Sequence, residues 1–400
     1  MVRLRLIGDV VFTTPAIRAL RRRYPDARIT YIVEEEAAAV VRHNPHLDAV
    51  IVARSPHAPG RLRADIALIR RLRRERYDLA IDFHGGPRSS VLTWLSGAPT
   101  RIGYDVAGRG WMYTTRVPRP RALRPRHSVV SQWDLLLPLG IAPPDPDTDA
   151  TEMPDDPTAA SAVAGRLAGA GIGAGNPVVV VHVSAGNPFR RWPSASFVAL
   201  VCRLASNDPK RRIILTSGPS DAEAAAAIAT DARARLAADE RPAIVECGEF
   251  DLAELRALVA RAALYIGGDS GPLHIAGTTG VPVVGLYGPT LPLRSQPFRG
   301  GQFISAAAEA GDLPCRPCNQ RRCEPGDFRC LTGISAEAVA ALAERALGWP
   351  EGQPYDRDDH DARRAEDERT ADLPPSRQAS ADRRSLGEGG QAGPKDVHER

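Results

Sequence analysis

The chain has 400 residues, 43% of them hydrophobic, and a formal charge of +4. That is length for two domains with additions and enough apolar content for real cores, while the near balance of charge excludes a globally basic nucleic-acid binder. No apolar run reaches the length of a membrane span and the N-terminus carries no signal-peptide pattern, so the expected location is the cytoplasm.

The chain opens with Val2-Arg3-Leu4-Arg5-Leu6-Ile7, a short lead into Gly8-Asp9 that predicts a shortened first strand. Thr14 is placed to cap a helix with Pro15 in its first position, and Ile17, Leu20 and Tyr24 follow at helical spacing with arginines on the other face. Asp9 therefore lies where a strand meets a helix, and Gly8 permits close backbone approach. A carboxylate there can take a proton from a hydroxyl, or simply cap the turn. Residues 27–33, 49–52 and 79–83 read as strands. Between them, Leu62, Ile66, Ile69 and Leu72 predict the buried stripe of a helix whose other face carries Arg61, Arg63, Arg70, Arg71, Arg73, Arg74 and Arg76. Arg116, Arg119, Arg121, Arg124 and Arg126 follow. Lys210 and Lys395 are the only lysines, so the arginine excess is compatible with a solvated face, although it also suits an anionic acceptor or bilayer. The βα alternation predicts a parallel sheet covered on both faces. A Pro/Asp-rich linker follows Gly140. Its Asp145, Asp147 and Asp149 have no strand to present them to a metal. The glycines from Gly169 to Gly175 precede their strand instead of following one, unlike a dinucleotide fingerprint.

The β-branched run Val178 to Val181 reads as a buried parallel strand, ending at His182 and Ser184 and leading through Arg190-Arg191-Trp192-Pro193 to a helix over 195–204. A strand at 213–216 runs into Gly218 and an Ala-rich helix with Asp221 and Glu223 at its start. Cys202 and Cys247 read as buried hydrophobes. Residues 263–266 form a strand that enters Gly267-Gly268-Asp269-Ser270-Gly271-Pro272, where Ser270 or Gly271 would cap a helix beginning at Pro272. Free N–H groups at such an end suit a diphosphate. A strand at 281–287 and the turn Gly288-Pro289-Thr290 close this unit. Cys315, Cys318, Cys323 and Cys330 could form a thiolate zinc site in a reducing compartment, although their spacing matches no common pattern. A helix over 335–347 ends the folded part, and the polar residues 348–400 read as disordered.

Four of these segments, in register, resemble glycosyltransferase family 9, the ADP-heptose:lipopolysaccharide heptosyltransferases: the Gly8-Asp9 turn and its helix, residues 178–193, residues 213–223 with 247–252, and residues 264–290. In the second of these, Arg190 stands where the family usually has lysine two places before Trp-Pro. The resemblance covers about residues 1–347. It implies an α/β fold of GT-B architecture, two doubly wound parallel-sheet (Rossmann-like) domains facing a central cleft. The expected divisions are 1–145 for the acceptor, 146–176 as linker and first helix of the second domain, 177–347 for the nucleotide-sugar donor, and the tail. It implies an inverting, metal-independent transfer of heptose from ADP-heptose to the lipopolysaccharide inner core, with no cofactor and Asp9 as catalytic base. Ser184, Ala185, Arg190, Ser270 and Gly271 would hold the departing diphosphate. Asp269 would bond the sugar, His274 support the turn, and Glu223, with Asp221 a close rival, meet the ribose. Phe250, or its backbone, would lie beside the base. Gly8, Thr13, Arg61 and Arg63 are the expected acceptor contacts. The partners would be the donor and a lipopolysaccharide-type acceptor, the location cytoplasmic and peripheral at the inner membrane face. Another nucleotide sugar and another surface glycan, or a degenerate nucleotide-sugar-binding protein, are the alternatives.

Overall fold

The computed structural model describes residues 1–55, 57–120 and 125–349, and those up to 349 pack as one compact unit. Arg121, Arg124 and the expected tail from residue 350 onward lie outside the described residues. In the first half, strands β1 (Thr30–Glu34) and β2 (Ala49–Ala53) pair in parallel, as do β3 (Leu79–Asp82), β4 (Thr100–Asp105) and β5 (Thr115–Pro118). The two sets are joined through Val2, which bridges Ile32 on one side and Asp82 on the other. The opening residues thus occupy the middle of a sheet ordered β2-β1-(opening residues)-β3-β4-β5, although so short a segment makes only isolated bridges. The second half forms a six-stranded parallel sheet, β11-β10-β9-β6-β7-β8, from β6 (Val178–His182), β7 (Arg212–Thr216), β8 (Ile244–Val245), β9 (Leu264–Gly268), β10 (Val283–Leu286) and β11 (Ser305–Ala308).

Both sheets have one chain order: the first segment lies centrally, the next two extend to one side and the last three to the other. In such a sheet the ligand crevice opens at the carboxyl ends of the strands where the order reverses. Those ends are the turns after the opening residues, β6 and β9, and they carry Asp9, Ser184 and Asp269. A cavity of about 660 Å³, lined by Met1, Tyr24, Thr30, Tyr77, Leu79 and Thr100 among others, lies at the opposite, amino ends of the first sheet's strands and so away from this crevice.

The helices that matter to the site are α1 (Ile7–Val11), α2 (Thr14–Arg23), α3 (Arg61–Glu75), α4 (Pro87–Leu95), α5 (Ser194–Asn207), α6 (Ala222–Arg235), α7 (Leu252–Val259), α8 (Gly271–Ala276) and α9 (Ala336–Leu347). Val179 and Val181 of β6 enter one core with α5 and α9, while Val178 and Val180 enter another with α7, as a strand buried on both faces requires. Three local expectations change. Thr14 is the first residue of α2 and Thr13 its N-cap, with no side-chain cap bond. Cys202 and Cys247 are only partly buried, at the margins of the two cores. The buried side of α3 is Leu68 and Leu72, while Leu62 and Ile66 point outward, 69% and 41% exposed. Both follow helical spacing, but α3 reaches the sheet only over its later turns.

The linker is stitched to both halves. Arg18 pairs with Glu152 at 2.6 Å, the Thr151 N–H donates to the Phe298 carbonyl at 2.9 Å, and Arg256 Nε donates to the Met153 carbonyl at 2.8 Å.

His182 ends β6 almost fully buried, with Nδ1 3.0 Å from Thr216 Oγ1 and Nε2 3.2 Å from Ser184 Oγ. Burial lowers its pKa to about 4, and burial first, then nearby arginines, does the same to His84. Between pH 4 and an ordinary histidine value of about 6.5 the unfolded chain therefore binds more protons than the folded one. Stability is expected to be complete above that window and to fall as pH drops through it, by at most about 3 kcal/mol for His182. Denaturant midpoints across the window should flatten in His182→Gln; an unchanged slope would show that the imidazole is not held neutral.

Candidate active site

The opening residues reach α1 through Leu6, whose φ of 68° lies in the left-handed region that a leucine rarely adopts. That turn places Asp9 in the first turn of α1 with 28% of its side chain exposed. Its partner is Arg3, a largely buried guanidinium that also donates to the Phe83 carbonyl at 2.7 Å. Arg3 thereby ties the carboxylate to the end of β3. Nothing in the motif pointed to Arg3; an arginine alternating with Val2 and Leu4 in a central strand was the available signal. Thr13 is fully buried, its hydroxyl donating to the Val10 carbonyl at 2.7 Å and lying 2.6 Å from Tyr31 Oη. It therefore supports the fold beneath the turn and has no free face for an acceptor.

Asp269 closes β9 and is 1% exposed. Thr290 Oγ1 donates to its Oδ2 at 2.5 Å, Arg190 Nη1 lies 3.2 Å from the same oxygen, and His274 Nε2 lies 3.4 Å from Oδ1. Burial alone would raise the Asp269 pKa. The His274 bond, the Arg190 and His274 charges and the Thr290 hydroxyl together hold it well below the usual carboxylate range. Asp269 is thus ionised and committed to fixed partners. Thr290 belongs to the Gly-Pro-Thr turn, which explains why that turn accompanies the acidic one.

Arg190 also donates from Nη1 to the Asp269 carbonyl at 2.9 Å and from Nε to Gln320 Oε1 at 2.7 Å, yet keeps 29% of its side chain exposed. Arg294, in the short helix Pro292–Ser295, is a second cation here. Burial lowers its pKa, and Asp269, Arg190 and Asp9 are the charges it feels. Among the described residues its guanidinium makes no hydrogen bond or ion pair. Arg294 and Gln320 were not anticipated: the first follows the Gly-Pro-Thr turn by four positions, and the second sits in the cysteine loop with no distinguishing pattern.

Ser270 is the N-cap of α8 and Gly271 its first residue; the Ser270 hydroxyl is buried and makes no cap bond. Being six residues long, α8 offers an anion its end N–H groups rather than a large dipole. Ser184 Oγ accepts from the Gly218 N–H at 2.8 Å and so ties the ends of β6 and β7, while the Ala185 carbonyl accepts from Arg191 Nε at 3.0 Å. Of the two acids near the third segment, Asp221 is buried against Arg191 at 3.0 Å, and Glu223 is exposed on α6 without an ion pair among the described residues. Phe250 packs at the edge of the core with Arg166 stacked 5.1 Å from its ring centre.

The two halves meet directly at the site. His274 is 5% exposed, and its ring centre lies 4.5 Å from that of Phe12. A Cβ on Gly8 would fall inside van der Waals contact of His274 Cδ2, and one on Gly271 would lie 2.8 Å from Ile7 Cβ. The Gly8-Asp9 turn therefore rests directly on α8. Arg61 and Arg63, by contrast, are exposed at the start of α3 and bond to none of these groups. Cys315, Cys318, Cys323 and Cys330 are free thiols, and no three metal-ligating side chains are grouped to hold a metal among the described residues.

A profile of glycosyltransferase family 9 (heptosyltransferase) matches residues 66–326. The chain is 28% identical over 351 residues to lipopolysaccharide heptosyltransferase 3 of Escherichia coli, covering 86% of this chain and 97% of that protein. A solved family 9 glycosyltransferase from Veillonella parvula superposes with a TM-score of 0.74 at 23% identity, over 86% of this chain and 96% of that one. The E. coli heptosyltransferase WaaC with ADP-2-deoxy-2-fluoro heptose gives 0.61 at 20% identity, over 86% and 98%. The fold shared with these structures is the GT-B architecture expected above.

Gly8→Ala is expected to cost about 1–3 kcal/mol, the usual penalty of an added methyl in a packed site. His274 cannot retreat, being held by Phe12 and Asp269. Thermal unfolding of this variant beside Gly169→Ala, where a Cβ meets open space, checks it; equal midpoints would mean the turn is not seated on α8.

Proposed function

Because the chain belongs to glycosyltransferase family 9 and is a glycosyltransferase, we propose that it transfers heptose from ADP-heptose to the lipopolysaccharide inner core by an inverting, metal-independent single displacement. The observation that carries this reading is the packing of the Gly8-Asp9 turn on α8, which sets a partly exposed carboxylate beside the Asp269–Arg190–Thr290 cluster. The names of the E. coli relatives support the donor and acceptor.

In this reading Asp9 Oδ takes the proton of an acceptor hydroxyl while its oxygen attacks the anomeric carbon, and the bond to the diphosphate breaks on the opposite face. Arg3 orients Asp9. Asp269 is buried and committed to fixed partners, so it is not a nucleophile and, instead of bonding the sugar, positions Arg190 at the diphosphate. One accessible carboxylate then gives one displacement and inversion. Charge gathering on the leaving ADP meets Arg190, Arg294 and the α8 N–H groups, preorganised cations and donors where charge develops. Glu223 or Asp221 faces the ribose and Phe250 the base. Ser184 and Ala185 shape the diphosphate wall through the Gly218 and Arg191 bonds. Residues 1–145 take the acceptor and 177–347 the donor, with 146–176 between them. No helix among the described residues is long and apolar enough to cross a membrane; the reading places the enzyme peripherally at the inner face of the cytoplasmic membrane, where such an acceptor is anchored.

Calorimetric titration with ADP, GDP, UDP and ADP-heptose tests the donor. Selective binding of the adenine compounds supports it, whereas a preference for UDP or GDP keeps the fold and overturns heptose. Asp9→Asn is expected to lose at least about 100-fold in turnover, the lower range for a general base, with ADP affinity nearly unchanged. Retained turnover would remove Asp9 from the mechanism. Arg190→Ala and Arg294→Ala should each weaken ADP by about tenfold or more, the worth of one charge-assisted bond; unchanged affinity in either would exclude that arginine from the diphosphate site.

A further inference from the structure

The outward residues of α3 belong to a larger surface. Helices α3 and α4 lie side by side on the first sheet. Arg88 of α4 bonds Asp65 of α3 at 2.5 Å, and Arg73 Nε donates to the Leu95 carbonyl at 3.1 Å. Leu62 and Ile66, one turn apart, face outward from α3. Trp94 faces outward from α4 and is 40% exposed. Its ring meets Trp111 edge-on at 5.1 Å, and Trp111 is 60% exposed. Four of the eight most exposed large hydrophobic side chains among the described residues thus belong to α3, α4 and the Trp111 turn packed against α4.

The same surface is cationic. Arg61, Arg63, Arg70, Arg71, Arg73 and Arg74 belong to α3, and none forms an ion pair among the described residues. The two acids of α3 are already engaged, Asp65 by Arg88 and Glu75 by Arg28 at 2.8 Å. A helix that only had to be solvated would have no use for outward Leu62 and Ile66 or for a neighbouring tryptophan pair. A protein partner would have to desolvate six guanidiniums that lack an acidic partner, which is costly without a matching array of acids. A lipid headgroup layer avoids that cost: phosphates and water keep the guanidiniums solvated while Leu, Ile and Trp enter the boundary with the acyl chains.

We infer that the α3–α4 face docks on anionic phospholipid, with Leu62, Ile66, Trp94 and Trp111 entering the headgroup–acyl boundary and the α3 arginines lying among the phosphates. This deepens the membrane-face reading above and rests on it for its biological setting. Vesicle binding, however, is measured without donor or acceptor, so its failure leaves the transferase reading standing, and retained turnover in Asp9→Asn would leave this surface untouched.

The full chain is sedimented with vesicles of phosphatidylcholine mixed with phosphatidylglycerol, and with phosphatidylcholine alone. Binding to the anionic vesicles should be at least about tenfold tighter, since several arginines meet the charged headgroups at once. The pairs Leu62→Ser with Ile66→Ser and Trp94→Ser with Trp111→Ser should each lower it about tenfold or more. A far-ultraviolet circular dichroism spectrum and thermal midpoint kept at the parent values show that both variants are folded. Phospholipid brominated on its acyl chains should quench the parent's tryptophan fluorescence, and quench it much less in the Trp94→Ser, Trp111→Ser variant. Absence of binding, equal binding to both vesicles, or a parent unquenched by brominated lipid overturns the inference. So does undiminished binding of the two variants, which would reduce the surface to arginine electrostatics alone.

Discussion

One imidazole sets the geometry of the site. His274 fills the space between Asp269 and the backbone of Gly8, with Phe12 against its face, and a hydrogen is all that fits on the other side. Several features follow from this lack of room. Glycine is required at position 8. The carboxylate that faces the crevice must come from the next residue, and α1 must begin abruptly, through the unusual Leu6 backbone. Close packing makes the arrangement of the two halves a matter of shape, because a crowded contact of this kind does not deform continuously.

Charge completes what shape begins. Asp269 is ionised inside the protein only because Arg190, His274 and Thr290 surround it, and these groups come from the ends of different strands. Removing one of them would strand a buried charge, so they hold as a set. Asp9 is the opposite case: one buried arginine holds it, and its remaining face is open to the crevice. Two carboxylates in one site are thereby given different work by burial and by the partners that surround each.

Much of this was legible in the chain. The β-branched runs, the Gly-Asp and Asp-Ser-Gly turns and the Pro-capped helices each use local chemistry that only one backbone state satisfies, and Asp9, Asp269 and Gly271 stand at strand ends as the pattern requires. What escaped reading depends on tertiary placement. Leu62 and Ile66 repeat at the same helical spacing as core residues, and only the position of α3 over the sheet turns them outward. Thr13 sits beside the motif as a ligand would, yet Tyr31 from β1 takes its hydroxyl. Arg3 and Arg294 have no motif at all; Arg3 matters because it joins the nearby Asp9 to the distant Phe83 carbonyl, and Arg294 through carboxylates far from it in sequence. The four loop cysteines matched no common metal pattern by their spacing, and among the described residues no three metal-ligating side chains are grouped to hold an ion.

The central place of Val2 bears on the order in which the molecule folds. Val2 takes its place only between Ile32 and Ile81, whose strands must exist before it can be clamped, and Gly8 finds its contact only when His274 has arrived. These are long-range pairings in all-parallel sheets, the kind that form late because loop closure precedes any gain. Val2 and Leu4 are therefore among the last residues to be fixed, although they precede in the chain every strand they pair with. The reactive carboxylate is assembled as a closing step of folding, so a chain cut short before α8 would carry Asp9 but never a site.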